Sequence, residues 1–104
     1  MLKLIITKKV VHVGENTVKE ISLNIERNLY IDSDELTANL LNKELINMIN
    51  IAPNYELWTS NSFEEGYITV CENELGFPVN SGEFYADYYF RLQEINDIIV
   101  SEVF

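Results

Sequence analysis

Residues 32–51 of the chain read DSDELTANLLNKELINMINI, and the clearest periodic pattern in the sequence lies here. Its apolar side chains recur at helical spacing and fall on one face, whereas its asparagines fall mostly on the other. The apolar set is Ala38, Leu41, Leu45, Met48 and Ile49. Asp32, followed three residues later by Glu35, matches a capping box, and Pro53 bars continuation. The pattern predicts one long amphipathic helix over about residues 33–50, which needs a sheet to bury its apolar stripe.

The segment before this helix predicts a β-hairpin. Residues 2–13 alternate in character and are rich in β-branched side chains, and residues 17–25 alternate more cleanly. Between them, the sequence Gly14-Glu15-Asn16 is typical of a turn. We therefore expect the chain to begin with two antiparallel strands.

Shorter strands are predicted after the helix. Residues 55–59 alternate, and residues 67–72 carry apolar side chains on both faces, which is typical of a strand inside a sheet. Residues 74–82 contain glycine, proline, asparagine and serine, and they predict a loop. Residues 98–103 are expected to form a last strand after a turn at Asn96-Asp97.

Residues 84–93 fit two patterns. As a helix, with Asn80 and Glu83 as a cap, they would leave Phe90 on the solvent side. As a strand, they place alternate residues on opposite faces, and the period of two accounts for every residue. One face would hold Phe84, Ala86, Tyr88, Phe90 and Leu92, and the other Tyr85, Asp87, Tyr89, Arg91 and Gln93. We choose the strand.

These elements predict an α+β fold in a single domain, residues 1–104. It comprises an antiparallel β-sheet, built from an N-terminal hairpin and a C-terminal meander, with the long helix packed on one face. A chain of 104 residues is long enough to bury a core without a metal or a disulfide.

The charge of the chain is strongly acidic and uneven. The net charge is −10. Residues 1–30 carry five basic and three acidic residues, whereas residues 31–104 carry two basic and fourteen acidic residues. Such acidity argues against nucleic acid or anionic membranes as direct partners. No stretch is long enough to span a bilayer, and a single cysteine, Cys71, favours a reducing compartment, so we expect the cytoplasm.

The residues that could carry chemistry are few. His12 is the only histidine; it could meet Cys71 in space as a nucleophile pair, but packing roles for both are the simpler interpretation. Asp32, Asp34 and Glu35 resemble the start of a calcium loop, yet the following glycine and the terminal glutamate are missing, and helix capping accounts for them. No nucleophile, phosphate-loop or zinc-protease motif is present. We predict no enzyme activity, no cofactor and no metal.

The acidic and aromatic second half of the chain instead suggests a protein interface. Exposed aromatic rings give rigid contact area, and carboxylates steer a basic partner. An acidic surface that only maintains solubility is the alternative. The predicted partner-binding residues are Trp58, Glu64, Glu65, Glu72, Glu74, Glu83, Tyr85, Asp87 and Tyr89.

In size and charge alone, the chain resembles bacterial immunity proteins, which neutralise nuclease toxins, and phage-encoded anti-defence proteins. Both cover a site that would hold nucleic acid. We favour an immunity protein that binds a basic, nuclease-type toxin. The alternatives are an anti-defence inhibitor and a non-inhibitory interaction or assembly module, either a subunit or a homodimer, and the sequence leaves the oligomeric state open.

Overall fold

A computed structural model describes residues 1–49, 55–61 and 63–95. The strands are β1 (Leu2–Val13), β2 (Asn16–Asn28), β3 (Tyr55–Thr59), β4 (Glu65–Glu72) and β5 (Phe84–Glu94), and the helix is α1 (Ala38–Ile49). The five strands form one antiparallel sheet in the order β2-β1-β5-β4-β3. The predicted α+β fold is confirmed. The segment that fitted both helix and strand patterns is β5, the central strand.

The helix begins later than the sequence predicts. Ser33–Glu35 form a separate 3₁₀ turn, in which the Glu35 carboxylate accepts a hydrogen bond from the Asp32 N–H at 3.2 Å. The predicted start near residue 33 is therefore wrong, because the acidic cap belongs to that turn. Thr37 caps α1 itself, since its Oγ1 accepts a hydrogen bond from the Leu40 N–H at 3.2 Å.

The hydrophobic core lies between α1 and one face of the sheet. Leu41 and Leu45 of α1 are fully buried there. The sheet contributes Leu4 and Ile6 from β1, Ile68 and Val70 from β4, and Ala86, Tyr88 and Phe90 from β5. Burying each large apolar side chain stabilises the fold by roughly 1.5–3 kcal/mol. Because β5 is central, its alternating residues line the middle of this core.

An irregularity in β1 reverses which residues face the helix. The register with β5 pairs Ile6 with Phe90 but Lys8 with Tyr89, so Thr7 is an extra residue in β1. A bulge of this kind shifts the side-chain alternation by one position. Beyond it, Lys9 pairs with Tyr88 and lies on the helix side of the sheet.

The loop between β4 and β5 folds back as a tight turn. The Asn73 side chain accepts hydrogen bonds from the backbone N–H groups of Leu75 and Phe77, each at 3.0 Å. Gly76 adopts a φ of +85°, which favours glycine. The Val79 N–H then donates to the Cys71 carbonyl at 2.9 Å. This turn leaves the side chains of Leu75 and Phe77 exposed.

The predicted turn at Asn96-Asp97 and the predicted strand over residues 98–103 lie outside the described residues. Within residues 1–49, 55–61 and 63–95, no helix has the length and apolar character needed to cross a membrane.

Candidate functional site

The sheet face opposite α1, here called the open face, is covered by no described helix or strand. Three rings cross it in a row: Trp58 on β3, Tyr67 on β4 and Tyr89 on β5. The ring centroids of Trp58 and Tyr67 lie 5.6 Å apart, and those of Tyr67 and Tyr89 lie 5.4 Å apart. Trp58 is 54% exposed. This aromatic row arises because strand register aligns residues from three strands whose side chains point outward.

The Tyr89 end of the aromatic row contacts a cationic side chain of the protein itself. Lys8 Nζ lies 5.3 Å from the centroid of the Tyr89 ring, and it also lies 3.8 Å from a Glu20 carboxylate oxygen. Partial burial, followed by the nearby Asp87 carboxylate, raises the pKa of Tyr89, so its hydroxyl stays neutral. The faces of these neutral rings can accept a cation.

Carboxylates without a cationic partner flank the other end of the row. Glu56 precedes Trp58 by two residues on the same face of β3, and Glu65 begins β4. Neither has an ion pair among the described residues. At the β2 edge of the same face, by contrast, Lys3 Nζ lies 3.4 Å from a Glu26 carboxylate oxygen and neutralises it. Charges of both signs border the row: Glu56 and Glu65 lie beside Trp58, whereas Arg91 faces Glu65 in the strand register and Lys8 lies at the Tyr89 end.

A second polar cluster occupies the other end of the open face. His12 Nε2 lies 3.3 Å from the Asp87 carboxylate, and the Thr69 hydroxyl donates to the same carboxylate. The His12 ring stacks on Tyr85 with a centroid distance of 6.0 Å. A cavity of about 550 Å³ is lined by His12, Thr69, Cys71 and Tyr85, among other residues.

His12 and Cys71, for which packing roles were the simpler interpretation, lie near each other, and each forms its hydrogen bond with a different group. Both residues line that cavity, but Tyr85 lies between them in the register of the sheet. The Cys71 thiol donates to the Gly82 carbonyl at 3.6 Å, and the His12 ring contacts Asp87 and the Gly14 carbonyl. Each group therefore has another partner.

The structure brings together about half of the predicted partner-binding residues. Those on the open face are Trp58, Glu65, Tyr85, Asp87 and Tyr89. Glu64, Glu74 and Glu83 are exposed, but they lie in turns outside it. Asp87 is only partly accessible, because Thr69 and His12 occupy its carboxylate.

Glu72 was placed wrongly among the surface carboxylates. Its side chain is 1% exposed and lies on the helix side of the sheet. Lys9 Nζ and the Tyr88 hydroxyl both contact its Oε2, each at 2.9 Å. Burial, together with the Glu72 charge, raises the pKa of Tyr88, which remains a donor. A partner cannot reach this carboxylate across the open face.

The sequence interpretation missed three members of the open-face site. Tyr67 and Glu56 have the same outward phase as their neighbours on β3 and β4, so alternation could have identified them once the strands were aligned. Lys8 could not be identified, because the bulge at Thr7 changes its side. The exposed carboxylates of Asp32, Asp34 and Glu35 lie within 4.8 Å of one another, and Asp32 and Glu35 cap the 3₁₀ turn.

No protein-family model, curated protein or solved structure matches the chain. The site must therefore be interpreted from its own geometry. Stacked rings beside carboxylates that lack a cationic partner can bind a guanidinium or ammonium group and exclude water around it.

Proposed function

We propose that the protein is a stoichiometric inhibitor that binds a basic protein through the open face, acting as an immunity protein against a nuclease-type toxin. The observation that carries this proposal is the aromatic row beside Glu56 and Glu65. Tryptophan and tyrosine dominate the energetically important positions of protein interfaces, and carboxylates beside them select a basic partner.

The expected contact is an arginine or lysine of the partner over Trp58. Lys8 shows the geometry at the opposite end of the same row, 5.3 Å from the Tyr89 centroid. Glu56 and Glu65 would neutralise the incoming cation, which a stack of rings alone does not do. A desolvated contact between a cation and a ring contributes roughly 2 kcal/mol.

The net charge of −10 supports the choice of partner. A protein of this charge is repelled by nucleic acid but is steered toward a surface that binds nucleic acid. Its carboxylates would then lie where phosphates bind, and that blocks a nuclease. A phage-type anti-defence inhibitor would use the same surface. A partner that such binding leaves active would instead indicate an assembly module.

The proposed site of action is the cytoplasm. Cys71 is the only cysteine of the chain, and its thiol is buried against the Gly82 carbonyl. A free, unpaired thiol is the usual state in a reducing compartment.

The test is affinity capture from the source cells at low and high salt, with mass spectrometry and an inhibition assay on the captured protein. Capture with the wild type is compared with capture by Trp58→Ala and Glu65→Lys. Glu74→Lys is the matched control, because it changes the net charge equally at an exposed position outside the open face.

The proposal predicts one basic protein, retained by the wild type and by Glu74→Lys, lost with Trp58→Ala or Glu65→Lys, and inactivated by the bound chain. Equal retention by all variants would contradict the assignment of the open face. A captured partner that keeps its full activity would contradict inhibition.

A further inference from the structure

The strand β2 lies at one edge of the sheet, and among the described strands it pairs with β1 alone. Its outer side therefore carries backbone N–H and C=O groups that no described strand pairs. Natural proteins protect such an edge with a short strand, a proline or lysines. The opposite edge strand, β3, has 5 residues, whereas β2 has 13, and its stretch from Glu20 to Glu26 contains no proline or lysine. This edge is open to a further strand.

Three apolar side chains follow the helix side of this edge at alternate positions. Ile21 and Ile25 pair with Lys9 and Ile6, which both lie on the helix side, and Leu23 packs against the core. The alternation of β2 is therefore regular beside the bulge in β1. Ile25 is 39% exposed, and the other two are half-buried. A strand added to this edge would cover all three with its own side chains.

The pairing with β1 shows which backbone groups point outward. The Leu29 N–H donates to the Leu2 carbonyl at 2.9 Å, and hydrogen-bonded and non-bonded pairs alternate along an antiparallel ladder. The odd-numbered residues of this part of β2 share the phase of Leu29, so their N–H groups point toward β1. Those of Ser22, Asn24 and Glu26 point away from the sheet, where an added strand would accept their hydrogen bonds.

The charges of β2 are arranged symmetrically about Leu23, in the sequence KEISLNIER. A second copy of β2, paired antiparallel so that the apolar residues align, would be centred on Leu23. That pairing places Lys19 opposite Arg27 and Glu20 opposite Glu26. Like charges directly opposite one another destabilise a pair of strands. The strand is thus poorly matched to itself.

Shifted pairings of β2 with a second copy are also unfavourable. Moving the centre of the pairing by one residue places either Ile25 opposite Lys19 or Ile21 opposite Arg27. Two chains of net charge −10 also repel each other. The strand that fits this edge therefore belongs to a different protein.

The ion pairs that β2 already makes leave its carboxylates accessible. Lys8 and Lys3 each contact one oxygen, of Glu20 at 3.8 Å and of Glu26 at 3.4 Å, and both carboxylates are exposed. Exposed pairs of this kind are weak. Lys19 has no ion pair within the part of the chain that the structure describes.

We infer that the outer edge of β2 receives an extended strand of a partner protein, with three alternate apolar residues flanked at each end by a basic and then an acidic residue. The basic residues face Glu20 and Glu26, and the acidic residues face Lys19 and Arg27. Main-chain hydrogen bonds supply affinity in this mode of binding, and alternate side chains supply specificity. The inference is independent of the proposed function, since β2 and the strand that carries Trp58 form opposite edges of the sheet.

The test is amide hydrogen exchange of the full chain, measured by NMR with and without an end-blocked peptide. The complementary probe is Glu-Lys-Val-Thr-Val-Thr-Val-Lys-Glu. Its matched control, Lys-Glu-Val-Thr-Val-Thr-Val-Glu-Lys, has the same composition and net charge but presents like charges to β2.

We expect the outward N–H groups of Ser22, Asn24 and Glu26 to exchange rapidly in the free chain and to become protected when the complementary probe is saturating. The control probe should bind about threefold to tenfold more weakly, because its cross-strand charge pairs are repulsive. Protection of these groups in the free wild type, which a second copy on the edge would produce, would overturn the inference. Equal affinity for the two probes, or no saturable binding of either, would also overturn it.

A pair of variants at Asn24 tests the backbone contact. Asn24→Pro removes an outward N–H, which an edge strand tolerates, and should weaken binding of the complementary probe about tenfold or more. Asn24→Ala keeps the N–H and should bind as the wild type does, because the Asn24 side chain is exposed. Equal affinity of the two variants would contradict strand addition, and the comparison of the two probes on the wild type stands whatever the stability of Asn24→Pro.

Discussion

Lys9 and Glu72 form an ion pair at 2.9 Å across a strand that lies between them. Tyr88 of that central strand completes the contact: its hydroxyl donates to the same carboxylate oxygen, and Lys9 Nζ lies 5.2 Å from its ring centroid. This network links the N-terminal hairpin to the C-terminal meander. Lys9, Glu72 and Tyr88 are largely buried, so removing one of them leaves the polar groups of the others without a partner and shielded from water.

Replacing Lys9 with methionine should lower the free energy of unfolding by about 3–5 kcal/mol. The change leaves the Glu72 charge buried without a cation, and breaking one partner of a buried pair has this cost. Urea denaturation measures it. Lys8→Met is the control, because Lys8 pairs with Glu20 at the exposed surface, where the loss should stay below about 1 kcal/mol. Equal losses in the two variants would show that the network does not stabilise the fold.

Tyr88→Phe should destabilise the protein by about 1–3 kcal/mol while keeping the ring in place. The substitution removes one of the two donors to Glu72 Oε2. Tyr85→Phe is the matched control: Tyr85 lies three residues earlier on the same strand, is exposed and stacks on His12 through its ring. An unchanged denaturation midpoint in Tyr88→Phe would contradict the importance of this hydrogen bond.

Stability should fall at alkaline pH because the folded state holds tyrosine protons that the unfolded state releases. Burial and the Glu72 charge raise the pKa of Tyr88, and burial with Asp87 raises that of Tyr89. Below a pH of about 10, the ordinary tyrosine pKa, the folded and unfolded states both bind these protons, so the two tyrosines cause no change of stability with pH. Above it the unfolded state binds fewer protons, so the free energy of unfolding declines.

Urea midpoints measured between about pH 8 and pH 11 test this dependence. The decline above pH 10 should be shallower in Tyr88→Phe than in the wild type. The same slope in both proteins would mean that Tyr88 does not contribute.

Gly66→Ala should disturb the support of the aromatic row. A Cβ atom at Gly66 would clash with the Trp58 carbonyl oxygen and would lie 2.8 Å from the Phe90 ring. We expect a loss of about 1–3 kcal/mol and a shift in the fluorescence of the single tryptophan, because β3 must move. Gly14→Ala is the control for the fluorescence shift: its φ of +58° should cost about 1–2 kcal/mol, but nothing lies within 4 Å of its Cβ, so β3 should not move. An unchanged Gly66→Ala spectrum would contradict the close approach of β3.

The fold could be predicted where alternation was strong and regular. In residues 84–93 the period of two accounts for every side chain, and the structure has that strand as β5. The helix start was placed too early, because Asp32 and Glu35 can cap a 3₁₀ turn as readily as a helix, and only the packing of Leu41 and Leu45 decides where α1 lies.

The ion pair of Glu72 with Lys9 could not be predicted, because it depends on the bulge at Thr7; the side of the sheet on which Glu72 lies follows from the alternation it shares with Ile68 and Val70. Regular alternation would place Lys8 beside Ile6 on the helix side and Lys9 on the open face. The extra residue reverses this, so that Lys9 reaches a carboxylate 63 positions away on a strand that is not its neighbour. Likewise, the outward phase of Trp58 was evident, but its stacking on Tyr67 depends on strand register.

The most direct test of the proposed function is the association rate of the captured basic partner, measured by stopped flow at low and high salt with wild type, Glu65→Lys and Glu74→Lys. We expect association to slow about tenfold or more as salt rises, and to be slower in Glu65→Lys than in Glu74→Lys at low salt. A rate that ignores salt and is the same in all three proteins would contradict a charge-steered inhibitor that binds through the open face.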